Sequence, residues 1–144
     1  MNFFYILPLI IVIVSNTLYH ITSKNTSENA NPFFSLFITY RVGMLLSFVI
    51  YFISSKGVID LAGDFKKLNW ATFAMGAIII GLEAGWMLAY RAGWDISKCS
   101  LIANIALAVV LAFVGMLAYK ESISAKQFIG MGLCIAGLVV INLK

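Results

Sequence analysis

The stretch WATFAMGAIIIGLEAGWMLAYR, residues 70–91, decides the fold class of this protein. It has the ~20 residues that an α-helix needs to cross the hydrocarbon of a bilayer, and Glu83 is its only charged side chain before the closing arginine. Four more apolar stretches follow the same pattern, and the last of them is the shortest. The five predicted membrane helices cover residues 3–22, 33–54, 70–91, 100–119 and 127–143. Four full spans with a short peripheral fifth helix is the alternative.

The composition of the chain indicates the same class. Hydrophobic residues make up 62% of the 144 residues and charged residues 11%, whereas a soluble domain is about half apolar and about a quarter charged. A chain this short cannot hide so much apolar surface from water in a core of its own, so lipid must solvate much of it. We therefore predict an all-α, polytopic membrane helix bundle, with residues 1–144 forming a single domain.

The charged and sulfur-containing residues argue against several functions. The net charge is +4, but no basic run is longer than Lys66-Lys67, so nucleic-acid binding is not expected. Cys99 and Cys134 lack the spacing of a metal site or a disulfide framework. The chain has no Ser/His/Asp set, no carboxylate pair for acid–base chemistry and no phosphate-binding loop. We expect no enzyme activity, no catalytic residue, no metal and no cofactor.

Five polar side chains fall inside the predicted helices, where an ionisable group is costly unless it is paired or faces water. Counted at 1.5 Å per residue, Glu83 and Arg41 both lie ~12 Å from the same membrane face. Asn16, His20 and Asn104 lie nearer to that face. Because four helices contribute to one layer, we predict a shared polar cavity displaced from the membrane centre.

The helical phase assigns neighbours to Glu83. Trp86 and Tyr90 follow it by three and seven residues on one face of the helix, whereas Gly81 and Gly85 lie on the opposite face. Aromatic rings beside a carboxylate suit an organic cation through charge pairing and cation–π contacts, and a carboxylate at this depth also suits a proton carrier. The predicted substrate or proton site comprises Glu83, Arg41, Trp86, Tyr90, Asn16, His20 and Asn104.

Most of these residues also have a purely structural interpretation. Glu83 and Arg41 could form an ion pair at equal depth without any ligand. His20 could reach the membrane interface, and Trp86 with Tyr90 could belong to the aromatic belt at that interface. The sequence leaves both interpretations open.

Small residues predict where helices pack. Gly81 with Gly85 forms a Gly-x-x-x-Gly pair, and Gly132 with Ala136 forms a second pair of small residues at the same spacing. Asn104 could equally serve as a hydrogen-bonding link between two helices. We assign the four small residues to packing.

The loop charges give almost no preference for orientation. With a cytoplasmic N-terminus, five lysines lie on the cytoplasmic side and four Lys or Arg residues on the other. The N-terminal stretch lacks the basic region of a signal peptide, so we expect it to be retained as the first helix. Either the signal is weak in a small protein, or the protein inserts in both orientations and pairs head to tail.

Three segments carry short motifs in a familiar order. Residues 31–41 open a helix on Asn-Pro and reach an arginine, residues 89–93 read AYRAG, and residues 111–144 close an apolar helix on a YKES turn before a helix rich in small residues. This order resembles one repeat of the EamA family of drug/metabolite transporters, which is related to the small multidrug resistance transporters. The chain departs from the family because Lys120 replaces a common glycine, the fourth stretch lacks a central proline, and Glu83 is not a general family feature.

The resemblance implies one five-helix repeat, where most family members carry two, and a protein that exports metabolites or small organic molecules across a bacterial or archaeal inner membrane. Two-repeat members place their cavity between inverted halves, so a single repeat implies a homodimer, with an antiparallel arrangement as one form. We predict a small secondary transporter, an antiporter that works by alternating access in membrane lipid. The alternatives are a subunit of a lipid or lipid-linked sugar flippase and a membrane adaptor without transport activity.

Overall fold

The computed structural model describes residues 3–142, except for the side chains of Phe3 and Asn142, and these residues form six α-helices and no strand. The helices are α1 (Phe3–Lys24), α2 (Pro32–Ser54), α3 (Leu61–Lys66), α4 (Trp70–Arg91), α5 (Ile96–Ala118) and α6 (Ala125–Asn142). The all-α prediction is therefore confirmed. Leu143 and Lys144, which end the fifth predicted stretch and the chain, lie outside the described residues.

Four helices have the length and apolarity to cross a membrane. They are α1, α2, α4 and α5, with a mean hydropathy between 1.6 and 2.6. The fifth candidate, α6, has 18 residues and a length of ~27 Å, slightly less than the ~30 Å hydrocarbon core. Most apolar side chains of the long helices are exposed, as expected where lipid is the solvent. The chain is a multi-pass membrane protein with four clear spans and a shorter fifth.

Side-chain caps explain where two of the helices begin. The Asn31 side chain accepts hydrogen bonds from two backbone N–H groups at 2.9 and 3.2 Å, and Pro32 occupies the first helical position. Ser124 and Gln127 form a reciprocal capping box, in which the Ser124 N–H donates to Gln127 Oε1 at 2.7 Å. This box starts α6 at Ala125, two residues before the predicted boundary.

Two helices are each followed, two residues after their last residue, by a lysine in the left-handed conformation that glycine usually adopts. Lys56 follows α2 with a φ of 51°, and Lys120 follows α5 with a φ of 54°. After α2, the Gly57 N–H donates to the Phe52 carbonyl at 3.0 Å and the Lys56 N–H to the Ile53 carbonyl at 3.1 Å, the pattern of a Schellman motif, and after α5 the Glu121 N–H donates to the Gly115 carbonyl at 3.0 Å. Lys120 thus keeps the backbone conformation of the glycine expected from the resemblance, and its charge favours the helix C-terminus.

The short helix α3 was not predicted, because six residues between two spans carry no readable period. Asp60 caps it by accepting from the Gly63 N–H at 2.9 Å. Asp64 accepts from the Tyr51 hydroxyl at 2.6 Å and from the Lys67 ammonium at 2.7 Å. These bonds order a connection that the sequence indicates only as a polar loop.

Two other boundaries differ from the prediction. Helix α5 begins at Ile96, four residues before the predicted boundary, and Asp95, which precedes it, forms an exposed ion pair of 3.4 Å with Lys98 in its first turn. Helix α1 extends two residues further than predicted, to Lys24. Charged residues therefore continue these helices beyond the apolar stretch.

Contacts between helices divide the chain into two units. The first unit ends at Gly93 and contains α1–α4, and the second starts at Trp94 and contains α5 and α6. In the first unit, α4 packs against α1 and α2, and its core contains Leu36, Ala84 and Met87. In the second unit, α5 packs against α6. The single domain stays a prediction.

Candidate functional site

His20 is buried between α1 and α4, with 6% of its surface exposed. Its Nδ1 atom shares a hydrogen bond of 2.8 Å with the Tyr90 hydroxyl. Its ring meets the ring of Trp86 edge-on at 4.5 Å and that of Tyr19 at 5.4 Å between centroids. His20 therefore faces other residues of the chain, and its level relative to the membrane interface stays a prediction.

Tyr90 and Trp86 form an inward-facing aromatic pair with His20. Tyr90 is buried, and its ring stacks on Trp86 with centroids 5.9 Å apart. The Lys24 ammonium lies 5.6 Å from the centroid of the Tyr90 ring, which is a cation–π contact. These rings join α1 to α4 through contacts with each other, and whether Tyr90 and Trp86 lie at the level of the aromatic belt stays a prediction.

A partly open cavity of about 140 Å³ lies among α1, the connection that follows it, α2 and α4. Glu83 is the one charged residue among those that line it, and five of the others carry a hydroxyl group. The lining residues are Tyr19, Thr22, Ser23, Thr26, Leu36, Thr39, Glu83 and Met87. The volume equals a few water molecules at ~30 Å³ each and is below the ~300–1,000 Å³ of drug-sized sites. It fits a small polar ion.

Four buried polar atoms in this unit have no hydrogen-bond partner of standard geometry within residues 3–142. They are Tyr19 Oη, His20 Nε2, Ser23 Oγ and Tyr40 Oη. An unsatisfied buried polar group costs ~1–3 kcal/mol, and lipid tails offer no partner to relieve that cost. Groups held together against such a cost are typical of a binding site.

Glu83 is half-buried and lines the same cavity as Tyr19 and Ser23. The hydroxyls of Tyr19 on α1 and Tyr40 on α2 both lie close enough to interact with its charge. Hydroxyl groups can donate hydrogen bonds to the carboxylate, but they cannot neutralise it. The arrangement therefore leaves one negative charge for a proton or a cation to balance.

Arg41 and Asn16 do not reach the cavity. Both side chains are exposed, and the Arg41 guanidinium lies 5.6 Å from the centroid of the Phe37 ring on its own helix. No ion pair joins Arg41 to Glu83 among the described residues. The residue of α2 that faces Glu83 is Tyr40, which was not predicted, although it follows the buried Leu36 by one helical turn and packs against the same core.

Arg91 holds the connection between α1 and α2. One of its guanidinium nitrogens donates to the Ser27 carbonyl at 2.8 Å and to the Ala30 carbonyl at 2.9 Å. This connection includes Thr26, which lines the cavity. Arg91 therefore fixes one end of the candidate site, a role that its position at the end of a helix did not reveal.

Asn104 belongs to the second unit and lines a different cavity. That cavity measures about 490 Å³ and lies between α5 and α6. Glu121 and Gln127 also line it, and neither was predicted as a site residue. Asn104 and Gln127 each lie on a helix face that is rich in small residues. Matching these two faces of α5 and α6 could have predicted the cavity and its polar residues from the sequence.

The small residues assigned to packing face outward. A Cβ atom added to Gly81, Gly85 or Gly132 would have nothing within 4 Å, and Ala136 is exposed. No described residue of the chain covers these positions closely. Their role in packing against a further helix stays a prediction.

Comparison with known proteins agrees with the fold and the motifs. The family model described as the EamA-like transporter family matches residues 3–143. No curated protein and no solved structure gives a significant match. The match extends over all five predicted spans.

Proposed function

Since this chain belongs to the EamA-like transporter family and is a membrane transporter, we propose that Glu83 binds a proton and a small cationic substrate in turn. The observation that carries this proposal is the cavity around Glu83, which is lined by one carboxylate and five hydroxyl side chains. Each of these side chains has an oxygen atom, which can coordinate a cation or accept a hydrogen bond. None of the lining residues is basic.

Electrostatics makes the two ligands exclude each other. A charged carboxylate at bilayer depth costs several kcal/mol unless it is paired. A proton removes that cost and so does a bound cation, but one carboxylate with no second acid beside it cannot be neutralised twice. Competition of the two ligands for Glu83, combined with alternating access of the site to the two sides of the membrane, would give antiport.

The size of the cavity limits the substrate. About 140 Å³ accommodates a small ammonium compound, and a larger drug would need space beyond the first unit. The hydroxyls of Tyr19, Ser23 and Tyr40 would serve the ammonium group or its water shell, because their oxygens have no other partner of standard geometry in the described chain. We infer a small organic cation, exported from the cell.

We further propose that the transporter is a homodimer in the inner membrane and works by alternating access. The uncovered face of Gly81 and Gly85 supports a close contact with a second copy, since small residues let helix backbones approach. The nearly balanced loop charges allow an antiparallel pair. In such a pair each copy would contribute one Glu83 site.

Proton exchange in proteoliposomes tests the role of Glu83. We expect an imposed pH gradient to drive uptake of a small permanent cation, tested in a panel that begins with tetramethylammonium, and we expect Glu83→Gln to abolish it. Glu83→Asp keeps the carboxylate and should retain part of the activity. Glu28→Gln, an exposed carboxylate in the connection after α1, is the matched control and should transport like the wild type.

The same variants separate the proposal from its alternatives. Full transport by Glu83→Gln would contradict a coupling role for this residue. If no cation of the panel exchanges with protons and Glu83→Gln only lowers the melting temperature, the polar cluster is structural and the adaptor interpretation is favoured.

A further inference from the structure

The cavity of the second unit differs in size and character from the site around Glu83. Its volume of about 490 Å³ lies within the ~300–1,000 Å³ range of ligand pockets. It is lined mainly by apolar residues, with Asn104, Glu121 and Gln127 as the polar exceptions. An apolar pocket with a few polar groups is the usual form of a site for an amphipathic ligand.

The cavity is an elongated groove. Small residues on facing sides of the two helices, Ala108 and Ala112 on α5 and Gly130 on α6, leave the space between them. Asn104 marks one end, and the Glu121 side chain, which lies against Gly115, marks the other. At 1.5 Å per residue these ends are ~16 Å apart along α5. One leaflet of a ~30 Å hydrocarbon core has about the same depth.

The end of the groove at Glu121 is polar. A carboxylate oxygen of Glu121 lies 2.6 Å from the position that a Cβ on Gly115 would take, so the side chain folds over this buried glycine. Gln127 already accepts from Ser124 through its carbonyl oxygen, at 2.7 and 2.9 Å, which leaves its NH₂ group to donate elsewhere. Among the described residues no ion pair neutralises Glu121.

Two lysines complete the charge pattern of this end. Lys120 lies in the same connection as Glu121, Lys126 lies in the first turn of α6, and both are exposed. One carboxylate and two ammonium groups at the end of an apolar groove complement a head group that carries both a positive charge and a phosphate. A fatty acid lacks the positive charge, and a purely anionic lipid would leave Glu121 unpaired.

We propose that the α5–α6 groove binds one phospholipid whose head group carries a primary ammonium. The ammonium donates to Glu121, the phosphate lies near Lys120 and Lys126, and an acyl chain occupies the groove along Ala108 and Ala112. A quaternary ammonium carries the same charge but has no N–H to donate, so the site favours the primary amine. This proposal is independent of the role of Glu83.

Native mass spectrometry of the full-length protein in detergent tests the site. The probe is an equimolar mixture of phosphatidylethanolamine and phosphatidylcholine with identical acyl chains. We expect the wild type to retain phosphatidylethanolamine in preference, and Glu121→Gln to lower that preference on the order of tenfold, as for loss of a charged hydrogen bond. Glu28→Gln should keep the full preference. An unchanged preference in Glu121→Gln would overturn the proposal.

The accessibility of the Cys134 thiol gives a second measurement, because this side chain lines the groove. It can be measured with Glu121 unchanged. In a Cys99→Ala background, phosphatidylethanolamine should slow labelling of Cys134 by a thiol reagent on the order of tenfold, and Ala108→Leu, which fills the groove, should remove this protection. Equal protection by glycerophosphoethanolamine, the head group alone, would show that no acyl chain is bound. If labelling of Cys134 slows as the protein concentration rises and does not depend on lipid, a second copy of the protein occupies the groove. Either result overturns the proposal.

Discussion

The two units of the chain use opposite means to bring membrane helices together. In the first, α4 meets α1 and α2 through aromatic and hydroxyl side chains around a carboxylate, with a cavity of about 140 Å³. In the second, α5 and α6 meet through small apolar residues and leave a cavity of about 490 Å³. Apolar faces gain little by leaving lipid for each other. Polar contacts therefore add to the apolar core of Leu36, Ala84 and Met87 in holding the helices of the first unit, whereas the second unit leaves space that lipid can occupy.

The largest effect on stability should come from filling the core of the first unit. Ala84 is buried against Leu36 and Met87, so Ala84→Leu should overpack the contact between α4 and α2 and destabilise the protein by ~1–3 kcal/mol. A lower melting temperature in detergent would show this. Gly76→Ala, at an exposed position of the same helix, is the control and should not destabilise, since its Cβ meets nothing within 4 Å. Equal losses for the two variants would contradict the assignment of these faces.

The bond between His20 and Tyr90 should have the next largest effect. His20→Phe keeps an aromatic ring but leaves the Tyr90 hydroxyl buried without this partner, at a cost of ~1–2 kcal/mol. Adding Tyr90→Phe to His20→Phe removes that stranded hydroxyl, so the double variant should lose less than the two single variants together. Strictly additive losses in thermal unfolding would show that the two side chains do not act as a pair.

Asn104→Leu, in the apolar second unit, should change stability by less than ~0.5 kcal/mol.

Replacing Arg91 should loosen the connection between α1 and α2. Arg91→Lys keeps the charge but loses the planar guanidinium that donates to two carbonyls, so we expect a loss of ~1 kcal/mol. Amide hydrogen exchange over residues 25–31 should become faster, while exchange over the α5–α6 connection stays the same. Unaltered exchange over residues 25–31 would show that the connection does not depend on Arg91.

The smallest effect should come from the exposed pair of Asp64 and Lys67. The hydrogen bond from Lys67, followed by that from Tyr51, lowers the pKa of Asp64 below its ordinary value of 3.8. Because the pKa is lower in the folded protein, the stabilisation is present above pH 3.8 and is lost as the pH falls through the folded pKa. Asp64→Asn should therefore lower the melting temperature slightly at neutral pH and not at all well below pH 3.8. Asp60→Asn, which keeps an oxygen to cap α3, is the control. A similar pH-dependent loss of melting temperature in this variant would contradict the assignment of the effect to Asp64.

Hydropathy predicted the helices well, because a span needs a fixed length of apolar sequence whatever it packs against. It predicted the ends less well, since Lys98 and Lys24 stay helical once their side chains reach a partner or water. Helix α3 depends on single hydrogen bonds of Asp60 and Asp64, which no pattern of hydrophobic residues contains.

The common depth of the candidate site residues stays a prediction, whereas the predicted rotation of their helices was correct only in part. Counting residues gives the level of a side chain in the membrane, whereas its direction depends on which helix face finds a partner. Tyr90 and His20 point inward as their phase indicated, but Arg41 and Asn16 point outward, and Tyr40 faces Glu83 in place of Arg41. The contact of α2 with α4 through Leu36 sets that rotation, and hydropathy cannot predict it because all faces of α2 are apolar.

The hydroxyls of Tyr19 and Tyr40 approach Glu83 from two different helices, and this has a mechanical consequence. Any occupant that bonds to both hydroxyls and to the carboxylate also ties α1, α2 and α4 to one point. The occupant then links the three helices reversibly. Exchanging a proton for a larger cation changes the distances between the two hydroxyls and the carboxylate. The spacing of the three helices should therefore follow the identity of the bound ion, so that occupancy itself sets the shape of the first unit.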